Sequence, residues 1–124
     1  MYNRGIRGAT TVAHNDEQEI LDATAALLKE IVAHNEIVPE DICSVWITVT
    51  PDLDATFPAR AIRVLSGWEM VPLMCSTEIP VKGALPKCIR LLIQVNTTKG
   101  QRDMKHVYLN EARSLRPDLS SSNS

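Results

Sequence analysis

Residues 87–95, with the sequence KCIRLLIQV, restrict the fold of this chain more than any other stretch. Ile89 and Leu91 begin a series of aliphatic residues at every second position, which predicts a β-strand. Leu92, on the alternate positions, is apolar too, so we expect the strand to be buried on both faces. Arg90 shares that second face, because strand side chains alternate. A buried guanidinium keeps its charge, so it needs an acceptor. Residue type favours a structural salt bridge over a ligand site, and both stay open.

The rest of the chain alternates between strand and helix patterns, without a repeat or a linker. Gly5 and Gly8 in the first strand remove side-chain bulk, which predicts either a close approach by another backbone or a ligand, or else a bulge or turn. The spacing Asp16-x-x-Glu19 before an apolar period marks the start of a helix. The predicted strands cover residues 3–12, 42–50, 70–75, 88–96 and the start of 106–115, and the predicted helices cover 17–34 and 58–67. Pro72 predicts an edge or bulged position for its strand. The pattern indicates one α+β or α/β domain.

Composition argues against several classes of function. The net charge is −2 and only five residues are aromatic, which disfavours nucleic acid as a partner. No apolar run approaches about 18 residues, and no secretory h-region is visible, so we expect neither a membrane span nor export. The three cysteines and three histidines are scattered, which predicts reduced cytoplasmic thiols and no metal site. The polar run at 120–124 is expected to be disordered, which leaves 1–119 as the domain.

Arginines are the residues that could carry chemistry. Those in or beside strand ends and loops are Arg7, Arg60, Arg63, Arg90 and Arg116. Arginine suits planar, bidentate recognition of carboxylates, and a ligand with two carboxylates would need at least two such groups. No Ser-His-Asp order, nucleotide-binding glycine motif or paired-carboxylate spacing competes with this reading. Each arginine alone is more often a solvated surface charge, so spacing indicates only a possible small-anion site.

Several blocks, taken together and in order, resemble the monofunctional AroH-class chorismate mutases along nearly the whole chain. They are RGIRGATTV (4–12), TPDLDATFPARAIR (50–63), LSGWEMVPLMC (65–75), KCIR (87–90), HVYL (106–109) and LRPDL (115–119). The resemblance implies an α+β homotrimer in which sheets form a pseudo α/β-barrel core with helices outside. It also implies active sites in clefts between adjacent subunits.

The implied reaction is the [3,3] rearrangement of chorismate to prephenate, which uses no external nucleophile, proton donor, cofactor or metal. The enzyme must hold a dianion in a folded conformer and stabilise charge that grows on the ether oxygen. By resemblance, Arg90 supplies that stabilisation, Arg7 grips a carboxylate and helps to position Arg90, and Glu78 accepts a hydrogen bond from the ring hydroxyl.

The resemblance also implies the residues that bind the rest of the substrate. They are Phe57, Arg60, Arg63, Met74, Cys75, Tyr108, Leu115 and Arg116, of which Phe57, Arg63 and Leu115 would come from the neighbouring subunit. Each has a simpler alternative: Cys75 as a small buried residue, Tyr108 as a core tyrosine, Glu78 as a partner of Lys82. Met74 stands where the family has threonine, which puts a hydroxyl contact there in doubt. Arg60 replaces a common lysine and keeps the charge.

Two other functions fit part of the pattern. A small trimeric imine deaminase would also use an arginine to bind a substrate carboxylate, but it would need a positioned water. A binding module for an aromatic-pathway metabolite would bind chorismate without converting it.

Overall fold

A computed structural model of the chain describes residues 1–115. The strands are β1 (Tyr2–Thr11), β2 (Ile42–Val49), β3 (Leu73–Thr77), β4 (Cys88–Thr97) and β5 (Val107–Tyr108), and the helices are α1 (Glu17–Asn35) and α2 (Ala59–Arg63). Short 3-10 turns cover Pro39–Asp41, Gln101–Asp103 and Asn110–Ser114. The predicted domain end at 119, Arg116 and the 120–124 tail lie outside the described residues.

The five strands form one mixed sheet in the order β3-β2-β4-β1-β5. β4 lies at the centre and runs antiparallel to both β1 and β2. β3 runs parallel to β2 at one edge, and β5 runs parallel to β1 at the other. This confirms a single α+β domain with a mixed sheet and covering helices, and it confirms the edge position of the strand that follows Pro72.

One face of the sheet packs under the helices and the other face is open. Ile89, Leu91, Ile93 and Val95 of β4 are buried on the helix side, in the main hydrophobic core. Leu92 on the opposite side is 41% exposed. The prediction that β4 is buried on both faces is therefore wrong for the single chain, and the open face is the part of the fold that is left for a ligand or a partner.

Helix α1 covers the sheet as its sequence predicts. Asp16 caps the first turn by accepting a hydrogen bond from the Glu19 backbone N–H at 3.0 Å. The buried stripe on its inner side is Ile20, Thr24, Leu27, Leu28, Ile31 and Asn35. Gly8 on β1 is the point of closest approach, because a Cβ there would lie 2.6 Å from Ile31 Cδ1. Side chains of the helix and the backbone carbonyl of Val107, not a ligand, make the close approach at this glycine.

Gly8→Ala should destabilise the protein by roughly 1–3 kcal/mol, because the added methyl overpacks a core whose side chains are fully buried. The same methyl would also lie 3.2 Å from Leu27 Cδ1 and 3.3 Å from the Val107 carbonyl oxygen. Gly5→Ala is the matched control on the same strand, since its nearest neighbour is Leu92 Cδ1 at an ordinary 3.5 Å. Urea unfolding of both variants measures the difference, and equal midpoints would contradict this packing.

Two predicted elements have the wrong bounds. The strand predicted at 70–75 is Leu73–Thr77, because the Val71 N–H donates to the Trp68 carbonyl and closes a turn first. The helix predicted at 58–67 is Ala59–Arg63 and ends in turns rather than at Gly67. The strand-like start predicted for 106–115 is confirmed by the two-residue strand β5, after which a 3-10 turn follows.

Candidate active site

Strand register brings a row of side chains together across the open face. Tyr108 on β5 pairs with Ala9 on β1, and Ala9 pairs with Arg90 on β4. Arg90 in turn pairs with Thr48 on β2, so the four residues lie side by side across four strands. Paired strand residues point to the same face of a sheet. The short side chain of Ala9 leaves space between the phenol and the guanidinium.

A second row lies one step along the strands. Arg7 pairs with Leu92, Leu92 with Trp46, and Trp46 with Met74. Arg7 is the diagonal neighbour of Arg90, at a separation of roughly 7–8 Å between such positions. Both arginines line the same cleft, so a single ligand can reach both guanidinium groups. The open face therefore presents two cations to one ligand.

These rows enclose a cleft of about 360 Å³. Its lining consists of Arg7, Gly8, Ala9, Trp46, Thr48, Arg90, Leu91, Leu92 and Tyr108. The walls are mostly apolar and the charged groups in them are the two arginines. This combination is typical of a small-molecule site, where apolar walls hold the ligand and a few polar groups orient it.

Arg90 forms an ion pair with Glu78, with its Nε 3.3 Å from Glu78 Oε1. Glu78 directly follows β3, and its backbone N–H donates to the Val49 carbonyl at 2.8 Å, which places it beside β2. The Arg90 side chain is 44% exposed, so its expected burial is wrong for the single chain. Glu78 therefore pairs with Arg90 and not with Lys82, the simpler alternative.

Cys88 and Asp52, which precede Arg90 in the sequence, have shifted pKa values. Burial raises the pKa of the Cys88 thiol, although the Arg90 guanidinium acts in the opposite direction, so Cys88 stays neutral. Burial also opposes ionisation of Asp52, but hydrogen bonds from the Thr50 hydroxyl and the Lys87 backbone N–H outweigh it and lower the pKa of Asp52. Thr50 also accepts the Cys88 N–H at 2.9 Å. These hydrogen bonds to Thr50 and Asp52 hold the start of β4 in place, two residues before Arg90.

Tyr108 is both a core residue and a neighbour of the cleft. Its exposed fraction is 6%, and it packs with Ala9, Cys88 and Ala112 in a small second core, against which Leu115 also packs. Its ring contributes to the cleft wall. Tyr108 can therefore be a core tyrosine and a substrate-binding residue at the same time.

The other predicted site residues lie elsewhere in the single chain. Cys75 pairs with Ile47, points to the helix side and lines a separate cavity with Phe57. Arg60 and Arg63 lie on α2, beside α1, where Arg60 bonds Glu17 and Thr56. One chain does not bring these four residues to Arg90.

Sequence reasoning missed Trp46, Thr48 and Leu92 as walls of the cleft. Period-two alternation places Trp46 and Thr48 on one face of their strand, but it does not say which strand lies beside them. It also missed His106, whose Nδ1 accepts the Arg7 backbone N–H at 2.9 Å. A histidine beside a strand carries no pattern that points to a partner 99 residues away in sequence.

Within residues 1–115, no group of three or more His, Cys, Asp or Glu side chains could hold a metal ion. Over the same residues, no helix has the length and apolar character that crossing a membrane requires.

The family model described as chorismate mutase type I matches residues 3–119. The chain belongs to this family. Membership makes it an enzyme of the isomerase class and confirms the resemblance that the sequence blocks carry. The match extends from the strand that holds Arg7 past the end of the described residues.

Individual chorismate mutases are similar over almost their whole length. The chain is 50% identical to chorismate mutase AroH of Bacillus subtilis over 120 residues, covering 97% of this chain and 94% of that protein. It is 46% identical to chorismate mutase AroH of Thermus thermophilus over 119 residues, covering 95% and 97%. A solved chorismate mutase structure from Clostridium thermocellum has a TM-score of 0.86 and 52% identity, covering 89% of this chain and 97% of that one.

Proposed function

We propose that this chorismate mutase converts chorismate to prephenate in the cleft on the open face of its sheet. The observation that carries the proposal is the placement of Arg7 and Arg90 as diagonal neighbours on that face. Chorismate carries two carboxylates and an ether oxygen, so it presents three acceptors to these cations. A dianion between two guanidinium groups relieves their mutual repulsion.

The reaction requires little covalent chemistry from the protein. A carbon–oxygen bond breaks while a carbon–carbon bond forms within the same molecule, and no proton has to move. The barrier falls if the two ends of the substrate are held in contact and if charge on the departing ether oxygen is stabilised. Arg90 donates to that oxygen in the transition state more strongly than in the ground state, which is the condition for raising kcat. Arg7 holds a carboxylate.

Glu78 has two tasks in this proposal. Its ion pair with Arg90 holds the guanidinium over the cleft before substrate arrives. Its carboxylate then accepts a hydrogen bond from the ring hydroxyl of chorismate. Tyr108, which is separated from Arg90 by Ala9 across the sheet, donates a hydrogen bond from its phenol to a substrate carboxylate.

The complete site is shared between subunits of a homotrimer. Support comes from the open face, where Trp46, Leu92 and Met74 are exposed and apolar in the single chain. Three such faces packed around one axis would form the pseudo-barrel core. Phe57 and Arg63 then close the cleft of a neighbour. Leu115, expected there too, packs against the core that holds Tyr108 and so borders the cleft of its own chain. Arg60 and Arg116 add positive potential for a dianionic substrate.

The protein is proposed to act in the cytoplasm, in the synthesis of phenylalanine and tyrosine. Its three cysteines, Cys43, Cys75 and Cys88, are free, as is usual for a reducing compartment. Electron reorganisation within one molecule needs neither a cofactor nor a metal, which is the basis for proposing none.

The test is a turnover assay with chorismate and purified protein, without added metal or cofactor. Loss of the ultraviolet absorbance of chorismate and identification of prephenate as product are the expected results. Binding of chorismate without conversion by a folded protein would overturn the proposal in favour of a binding module. Release of ammonia from an imino acid, with no prephenate formed, would instead favour a deaminase.

A further inference from the structure

The edge of the sheet beside Arg7 has an unusual hydrogen-bond pattern. The Leu109 N–H donates to the Ala9 carbonyl at 2.9 Å, as a parallel ladder between β1 and β5 requires. If the same register continued by one step toward the beginning of each strand, the Arg7 N–H would donate to the Lys105 carbonyl. β5 begins only at Val107, however, and this bond is not formed.

The Lys105 backbone is bound to a different residue. Asn35, at the end of α1, donates from Nδ2 to the Lys105 carbonyl at 2.9 Å and accepts the Lys105 N–H on Oδ1 at 2.8 Å. Its Nδ2 also donates to the Ile31 carbonyl at 2.9 Å, and the residue is only 2% exposed. The helix therefore holds Lys105 away from the ladder, and His106 Nδ1 accepts the Arg7 N–H in its place, at 2.9 Å.

We propose that His106 is a positioning residue for Arg7, an inference that rests on the proposed function. An Nδ1 that accepts a hydrogen bond is unprotonated, so the ring proton lies on Nε2. The bond fixes the backbone of Arg7, and hence the direction in which its guanidinium enters the cleft. Catalysis by orientation is sensitive to such placement, because a shift of about 1 Å can cost roughly 100-fold in rate. Asn35 and Lys105 hold the chain that carries the imidazole.

Two variants separate the acceptor from the bulk of the ring. His106→Leu removes the acceptor, and we expect kcat/KM for chorismate to fall about tenfold, since one hydrogen bond to a positioned group is lost. His106→Asn keeps an oxygen near the position of Nδ1, and kcat/KM should stay within about threefold of the parent. A loss in both variants, or in neither, would overturn the inference.

A double-mutant cycle with Arg7→Ala identifies the route of the effect. If His106 acts through Arg7, His106→Leu should change kcat/KM by less than about twofold in the Arg7→Ala background. An equal loss in both backgrounds would mean that the imidazole acts only through general stability. If His106→Leu does not fold, the smaller His106→Ala, which also lacks an acceptor, takes its place under the same criteria. A parent protein that does not convert chorismate would instead refute the proposed function itself.

Discussion

Arg90→Lys is expected to lower kcat for chorismate by roughly 10²–10³, the usual cost of losing one donor aimed at developing negative charge. Lysine keeps the positive charge but loses the planar fork with which Arg90 contacts Glu78 and, in the proposed mechanism, would donate to the ether oxygen at the same time. Stopped-flow or steady-state assays at saturating chorismate measure the loss.

Arg102→Lys is the matched control, because Arg102 lies exposed in the 3-10 turn at Gln101–Asp103, away from the cleft. Its kcat should equal that of the parent. Near-normal turnover by Arg90→Lys would contradict the role given to Arg90, and a comparable loss in both variants would show that the effect is not local.

Mixing Arg7→Ala chains with Arg63→Ala chains should restore activity that neither variant has alone. Both arginines are exposed in the single chain and would become desolvated and paired only in the proposed substrate complex. Removing one partner of such a pair costs about 2–5 kcal/mol, so each variant is expected to lose roughly 30-fold or more in kcat/KM. If Arg7 and Arg63 come from different subunits, about a quarter of the sites in random trimers have both arginines. Co-refolding of equal amounts, followed by the turnover assay, measures this recovery.

The matched control mixes Arg7→Ala chains with chains that carry both substitutions, in which no site can be complete. Mixed trimers are confirmed by mass spectrometry in both samples. Absence of recovery in confirmed Arg7→Ala and Arg63→Ala trimers would place both arginines in one subunit. That result would contradict the shared site.

Local signals predicted the elements that hold the site. The Asp16 cap and the apolar period of α1 need only neighbours in sequence, and both are present in the structure. The alternating pattern of β4 likewise predicted which of its side chains are buried under the helices. The matched sequence blocks predicted the family, and the family comparison confirmed it.

The arrangement across strands could not be predicted from those signals. Arg7 and Arg90 become diagonal neighbours because β1 and β4 pair in one register, and no local pattern specifies that register. The prediction of burial on both faces of β4 failed for a related reason. An apolar side chain such as Leu92 indicates that its face of the strand is covered, but no element of residues 1–115 covers it, and the proposed cover is a neighbouring subunit.

The most direct test of the account is a comparison of two affinities for the parent and Arg90→Lys. Isothermal titration would use prephenate, which lacks the breaking ether bond, and a rigid bicyclic ether dicarboxylate that mimics the transition state. Arg90→Lys should weaken binding of the mimic by roughly 10²–10³, close to its loss in kcat/KM, and weaken prephenate by less than about tenfold. Equal losses for both ligands would contradict the account, because Arg90 would then bind all states alike.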